Sequence, residues 1–159
     1  MTRFLIALSL LAPAAALAQA PTAEQDAVYR ALSVRHESLS CDQLDAMSSD
    51  PLGTYLYLIE HATQPAWVGM RAARCVMVNH AEAAQPQLEQ WVTRPEHRGL
   101  AILAMGQLDA MPLAVAQAVA TKALTEGPEP EAMRVRIARA ATPEIAALAQ
   151  LPVVQPAGE

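Results

Sequence analysis

Pro65-Ala66-Trp67-Val68-Gly69-Met70-Arg71-Ala72-Ala73 can be laid over Pro95-Glu96-His97-Arg98-Gly99-Leu100-Ala101-Ile102-Leu103, which puts Gly69 over Gly99. Advancing from Pro95 to Pro128 sets Ala132-Met133-Arg134-Val135 beneath Gly99-Leu100-Ala101-Ile102 and brings Arg134 into register with Arg71. Each copy has a proline, then a small residue followed by a large apolar one. Self-similarity at this period marks stacked supersecondary units, each unable to bury its apolar face alone.

The prolines also punctuate the chain. Proline is tolerated at the first helical position and disrupts a helix interior, so prolines between Ala-rich apolar segments read as helix starts. Pro51, Pro86, Pro112 and Pro143 open a first series: Leu52 to His61, Gln87 to Thr93, Leu113 to Thr125, and Glu144 to Leu151. Pro65, Pro95 and Pro128 open a second: Ala66 to Asn79, Glu96 to Asp109, and about Glu129 to Ala141. The two series alternate, which predicts a run of helical hairpins. Strand formers never gather into alternating runs bounded by turns. Alanine, the best helix former, is abundant, and its short side chain lets helices approach closely.

The stretch Pro65 to Val76, with Arg71-Ala72-Ala73-Arg74, resembles the second helix of a HEAT repeat, and the likeness extends over Pro51 to Leu151. The resemblance is to short bacterial HEAT-like helical repeat proteins. It implies an all-α fold, a short right-handed solenoid of antiparallel helical hairpins, acting as a binding scaffold. It also implies that the second-series helices line the concave face.

Working outward, Ala23 to Glu37 reads as a helix. Ser40 stands before Cys41-Asp42-Gln43-Leu44-Asp45-Ala46-Met47 with Gln43 three residues on, a capping-box arrangement. These two helices, within residues 19–50, form the expected N-terminal cap ahead of the repeats at 51–151, with a frayed tail at 152–159. Residues 1–18 carry one positive charge at Arg3, the apolar run Phe4 to Leu11 and an Ala-rich end, the three parts of a secretory signal peptide. Cleavage after Ala18 is expected, because the alternative after Ala20 would put the rigid ring of Pro21 directly behind the cut. The apolar run is short of the ~20 residues a membrane span needs. The chain is therefore expected in the periplasm or secreted, without a membrane span.

In that compartment the two cysteines, Cys41 and Cys75, are expected to pair, pinning the cap to the first second-series helix. Loss of Arg3 with the signal leaves ten basic and sixteen acidic residues, a net charge of −6. So acidic a chain is a poor binder of nucleic acid, which requires phosphate neutralisation.

Motifs for chemistry are sparse. There is no Gly-x-Gly pair, phosphate loop or Gly-x-Ser-x-Gly elbow. His36, His61, His80 and His97 follow no metal-ligand spacing, and most fall near predicted helix ends, so no metal and no cofactor is expected. The pairs Asp42 and Asp45, and Glu129 and Glu131, lie in or beside predicted first turns, where negative charge offsets the helix dipole. Trp67 and Trp91 read as packing at repeat interfaces. The expected function is a non-catalytic protein–protein interaction scaffold. The alternatives are a small-ligand-binding helical protein and an enzyme with an unrecognised site.

The candidate contact surface follows from charge. Six of the ten mature basic residues, Arg71, Arg74, Arg98, Arg134, Arg136 and Arg139, lie in the bodies of second-series helices. Arg71, Arg98 and Arg134 are the candidate partner-binding residues. Their planar donor forks suit the carboxylates of an acidic partner surface. The competing reading is that these arginines lay their stems over neighbouring helices and pair internally.

Overall fold

The computed structural model describes residues 20–35 and 39–151. The expected signal segment at 1–18, His36, and the tail at 152–159 lie outside the described residues. Among the described residues the protein is all-helical, with no strand. Its α-helices are α1 (Ala23–Ser33), α2 (Cys41–Asp45), α3 (Pro51–His61), α4 (Trp67–Asn79), α5 (Gln85–Thr93), α6 (Arg98–Gly106), α7 (Leu113–Thr125), α8 (Pro130–Ile137) and α9 (Pro143–Ala146). Short 3₁₀ turns cover Pro95–His97, Leu108–Ala110 and Ala147–Gln150.

Most of the prolines act as starts. Pro51, Pro130 and Pro143 occupy the opening turns of their helices, Pro86 is the second residue of α5, and Pro112 immediately precedes α7. Three expectations need correction. α8 opens on Pro130 rather than Pro128 and stops at Ile137. The segment Glu96 to Asp109 is broken, with 3₁₀ turns on either side of α6. α1 ends at Ser33, where Val34 turns extended. Caps explain the N-terminal starts. Ser40 and Gln43 form the expected capping box on α2, and Thr22 with Gln25 forms a second one on α1 that the sequence reading passed over.

Consecutive helices pair as hairpins: α3 with α4, α5 with α6, and α7 with α8. Second helices then pack in order, α4 on α6 and α6 on α8, while α5 packs on α7 and α7 on α9. α4, α6 and α8 thus pack in one row, the second, and α5, α7 and α9 in another, with α3 packed chiefly on α4 and α1. The core is carried by Tyr55, Val76, Met77, Leu88, Trp91, Val119, Leu124 and Ile137. Small side chains set the spacing: Ala72, Ala73, Ala104, Ala116, Ala120 and Ala123 are all buried, so backbones meet closely. At Gly127 a Cβ would lie 2.3 Å from the Ala123 carbonyl oxygen and 3.0 Å from that of Val92. Only glycine fits there. Among the described residues no helix is long and apolar enough to cross a membrane.

α1 and α2 close the open end of the α4 row. Cys41 and Cys75 are joined by a disulfide with a Cα–Cα distance of 5.2 Å, in the usual range for such bridges. The Glu24 carboxylate accepts from Ser48 Oγ, Ser49 N and Ser49 Oγ, which fastens α1 to the turn after α2.

Candidate functional site

Exposure identifies the outward face of the second row. α4 is backed by α3, flanked on one side by α1 and α2, and on the other by α6. The exposed positions are Met70, Arg74, Val78 and Asn79, of which the first three form a stripe at four-residue spacing. α6 is backed by α5 and flanked by α4 and α8, and exposes Arg98, Gly99 and Gly106. A Cβ at either glycine would meet nothing within 4 Å. α8 and the turn that ends it expose Glu131, Ala132, Val135, Arg136, Ala138 and Arg139, with Glu131 engaged by Arg134. Val135, at 54% exposure, is the most exposed large apolar side chain among the described residues.

The three arginines singled out by sequence all have partners in the protein, although the Arg98 side chain remains 62% exposed. Arg71 Nη1 donates to Leu32 O at 2.8 Å and Val34 O at 2.6 Å. It thereby satisfies carbonyls that the end of α1 leaves without helical partners. Arg134 does the same at the other end of the row, donating through Nη1 to Ala149 O in the last 3₁₀ turn, with Nε 3.3 Å from Glu131 Oε2. The matching registers of Arg71 and Arg134 thus correspond to matching duties, each receiving the C-terminus of a neighbouring element. Arg98 Nε donates to Glu129 Oε1 at 2.7 Å, linking α6 to the start of α8. That contact raises the pKa of Arg98 and lowers that of Glu129. The internal-pairing reading describes all three.

Apart from Arg35, which lies over the Trp67 ring, the guanidinium groups left without an ion pair or hydrogen bond among the described residues are Arg74, Arg136 and Arg139. All three belong to the second row. The sequence held a signal for this. Arg74 is flanked at i−4 and i+4 by Met70 and Val78, both exposed, whereas Arg71 is flanked by half-buried Trp67 and buried Cys75.

A polar cluster underlies the disulfide. Asp45 lies at the C-terminal end of α2, not in its first turn as expected. Tyr55 donates to Asp45 Oδ1 at 2.6 Å, Asn79 Nδ2 donates to Asp45 Oδ2 at 2.8 Å and to Asp42 Oδ1 at 2.9 Å, and His80 Nε2 lies 3.1 Å from Asp45 Oδ1. Burial pushes the Asp45 pKa up, but the Tyr55 and Asn79 hydrogen bonds and the His80 imidazole outweigh it, so the net shift is downward. Burial first, and then the Asp45 carboxylate, push the Tyr55 phenol well above its ordinary range. This arrangement stabilises charge on Asp45 and keeps Tyr55 protonated. These contacts tie α2 to α3 and α4.

The remaining candidates have structural surroundings. Trp91 is buried in the core, and Trp67 is half-buried with the Arg35 guanidinium 4.9 Å from its ring centre. Among the described residues no group of three or more His, Cys, Asp or Glu side chains is placed to hold a metal ion. Two clefts are notable. One, of about 650 Å³, runs between α2 and α4 over the disulfide. The other, of about 460 Å³, separates α3 from α5 and is lined by Leu56, Ile59, Trp91 and Leu100 with Glu60 and His97. No family model matches the chain, and neither a curated protein nor a solved structure matches it.

Proposed function

We propose that this protein is an exported, non-catalytic interaction scaffold, a short right-handed solenoid of HEAT-like hairpins. It binds an acidic surface of another protein through the outward face of α4, α6 and α8. The observation that carries the reading is the coincidence on one face of unpaired Arg74, Arg136 and Arg139 with exposed Met70, Val78 and Val135. Exposed apolar side chains beside unpaired cations are what an interface needs, a desolvated centre with charged neighbours that select the partner. On a chain of net charge −5, a locally basic face also orients an approaching acidic partner. The order of packing, hairpin on hairpin in two rows, and the cap held by a disulfide support the solenoid reading and an oxidising compartment.

The test is reversal of charge. Arg74→Glu, Arg136→Glu and Arg139→Glu together leave the core untouched. Capture of the native partner from the cell envelope should fall sharply and wild-type binding should weaken as salt rises. Undiminished, salt-insensitive capture by the triple variant refutes the reading. The second reading, a small-ligand binder, draws on the cleft between α3 and α5, where apolar walls meet Glu60 and His97.

A further inference from the structure

We propose that the groove between α2 and α4 is the anchoring subsite of that face, and that it takes a short acidic peptide segment bearing an apolar side chain. The inference rests on the interaction-scaffold reading and deepens it. The groove measures about 650 Å³, ample for one or two side chains with their backbone. Leu32, Leu44 and the Cys41–Cys75 bridge supply apolar lining, and Val78, 37% exposed, stands at the edge.

Charge selects the occupant. Arg71 and Arg74 both line the groove against one carboxylate, Asp42, which already accepts from Asn79. Arg71 spends Nη1 on the end of α1, whereas the whole fork of Arg74 remains open for a bidentate carboxylate. The groove therefore carries a positive surplus on an acidic protein. Polarity decides between a peptide and a fatty carboxylate. Ser40 and Asn79 line the same walls, and among the described residues neither the Ser40 hydroxyl proton nor the Asn79 amide oxygen has a protein partner. An acyl chain would strip water from both and return nothing, whereas peptide N–H and C=O groups can satisfy them.

The test uses the full disulfide-intact mature chain, isotopically labelled for amide resonances. The probes are a blocked heptapeptide of glutamates around two leucines, its lysine counterpart, and laurate. The expected result is that the glutamate peptide shifts the amides of Leu44, Arg74 and Val78, that the lysine peptide does not, and that Arg74→Glu weakens binding by about tenfold or more. Lys122→Glu, on α7 and outside the groove, should leave this peptide's affinity unchanged. A shift in the groove with laurate but none with the glutamate peptide overturns the proposal. Glutamate-peptide shifts confined to α6 and α8 and lost in Arg136→Glu overturn the groove assignment while leaving the wider face standing. Absence of any peptide shift overturns the subsite. If capture of the native partner still depends on the three unpaired arginines, the scaffold reading survives it.

Discussion

Reducing the Cys41–Cys75 bridge removes a cross-link without removing an atom from the core, so it isolates what the bridge contributes. The cysteines are 34 residues apart in sequence. For a loop of that length, the chain-entropy relation gives roughly 12.6 cal/mol/K, or about 3.8 kcal/mol at 25 °C. The loop that is closed contains α3 and carries α2 and the start of α4, so the unfolded chain gains freedom over the whole joint between cap and repeats. Hydrogen bonds to Asp45 still hold α2 in the reduced protein, which favours local loosening of the cap before global unfolding. For a chain of this size the cost corresponds to a fall of roughly 10–20 °C in melting temperature. The assay is paired thermal and guanidinium unfolding of the oxidised and fully reduced protein, with thiol alkylation and intact mass confirming each state. Equal midpoints in the two states would refute the reasoning, because the bridge would then constrain nothing that the fold does not already fix.

Three other perturbations probe separate parts of the account. Asp45 has a depressed pKa in the folded protein, so its contribution is present above the ordinary carboxylate range and lost as pH falls through the folded value. Asp45→Asn should therefore be less stable than wild type at pH 7, with the gap closing below about pH 4, and a constant gap across that range contradicts the network. Gly127→Ala should destabilise by about 1–3 kcal/mol because its Cβ would press on two backbone carbonyls, while Gly99→Ala, in open space on α6, should be neutral or gain up to about 0.5 kcal/mol in denaturant titrations. Asp109 accepts from Ala141 N at 2.7 Å and Thr142 N at 2.8 Å, holding the start of α9 from the turn after α6. Asp109→Ala should then lower unfolding free energy by about 1 kcal/mol and raise amide exchange at Ala141 and Thr142, and unaltered exchange there rejects the tie.

The helical hairpins were legible because proline acts locally. Its fixed φ and missing donor mark a helix start whatever the surroundings, and α3, α5, α7 and α9 begin within two residues of where Pro51, Pro86, Pro112 and Pro143 predict. The disulfide was legible for a different reason, two cysteines in a chain read as exported. The 3₁₀ turns beside α6 were not. The run through Leu108 looks continuously helical, yet Asp109 reaches Ala141 and Thr142 thirty-odd residues away, and local propensity carries no trace of that tie. The contacts of the arginines were hidden for the same reason. Arg71 and Arg134 coincide in the repeat and Arg98 lies in the same helix series, but their partners are a helix end, a 3₁₀ turn and a carboxylate contributed by other segments. Arg136, two positions from Arg134, points to the opposite side of α8, while Arg74 shares a side of α4 with Arg71 and differs from it in lying beyond reach of the end of α1.

Amide hydrogen–deuterium exchange on the mature protein, alone and saturated with the partner it captures from its own cell envelope, tests the central claim most directly. The account predicts new protection along residues 70–78, 98–106 and 131–139, weakened by raised salt and absent with the Arg74, Arg136 and Arg139 reversal. Protection confined to α5 and α7, or none on the second row, would contradict it.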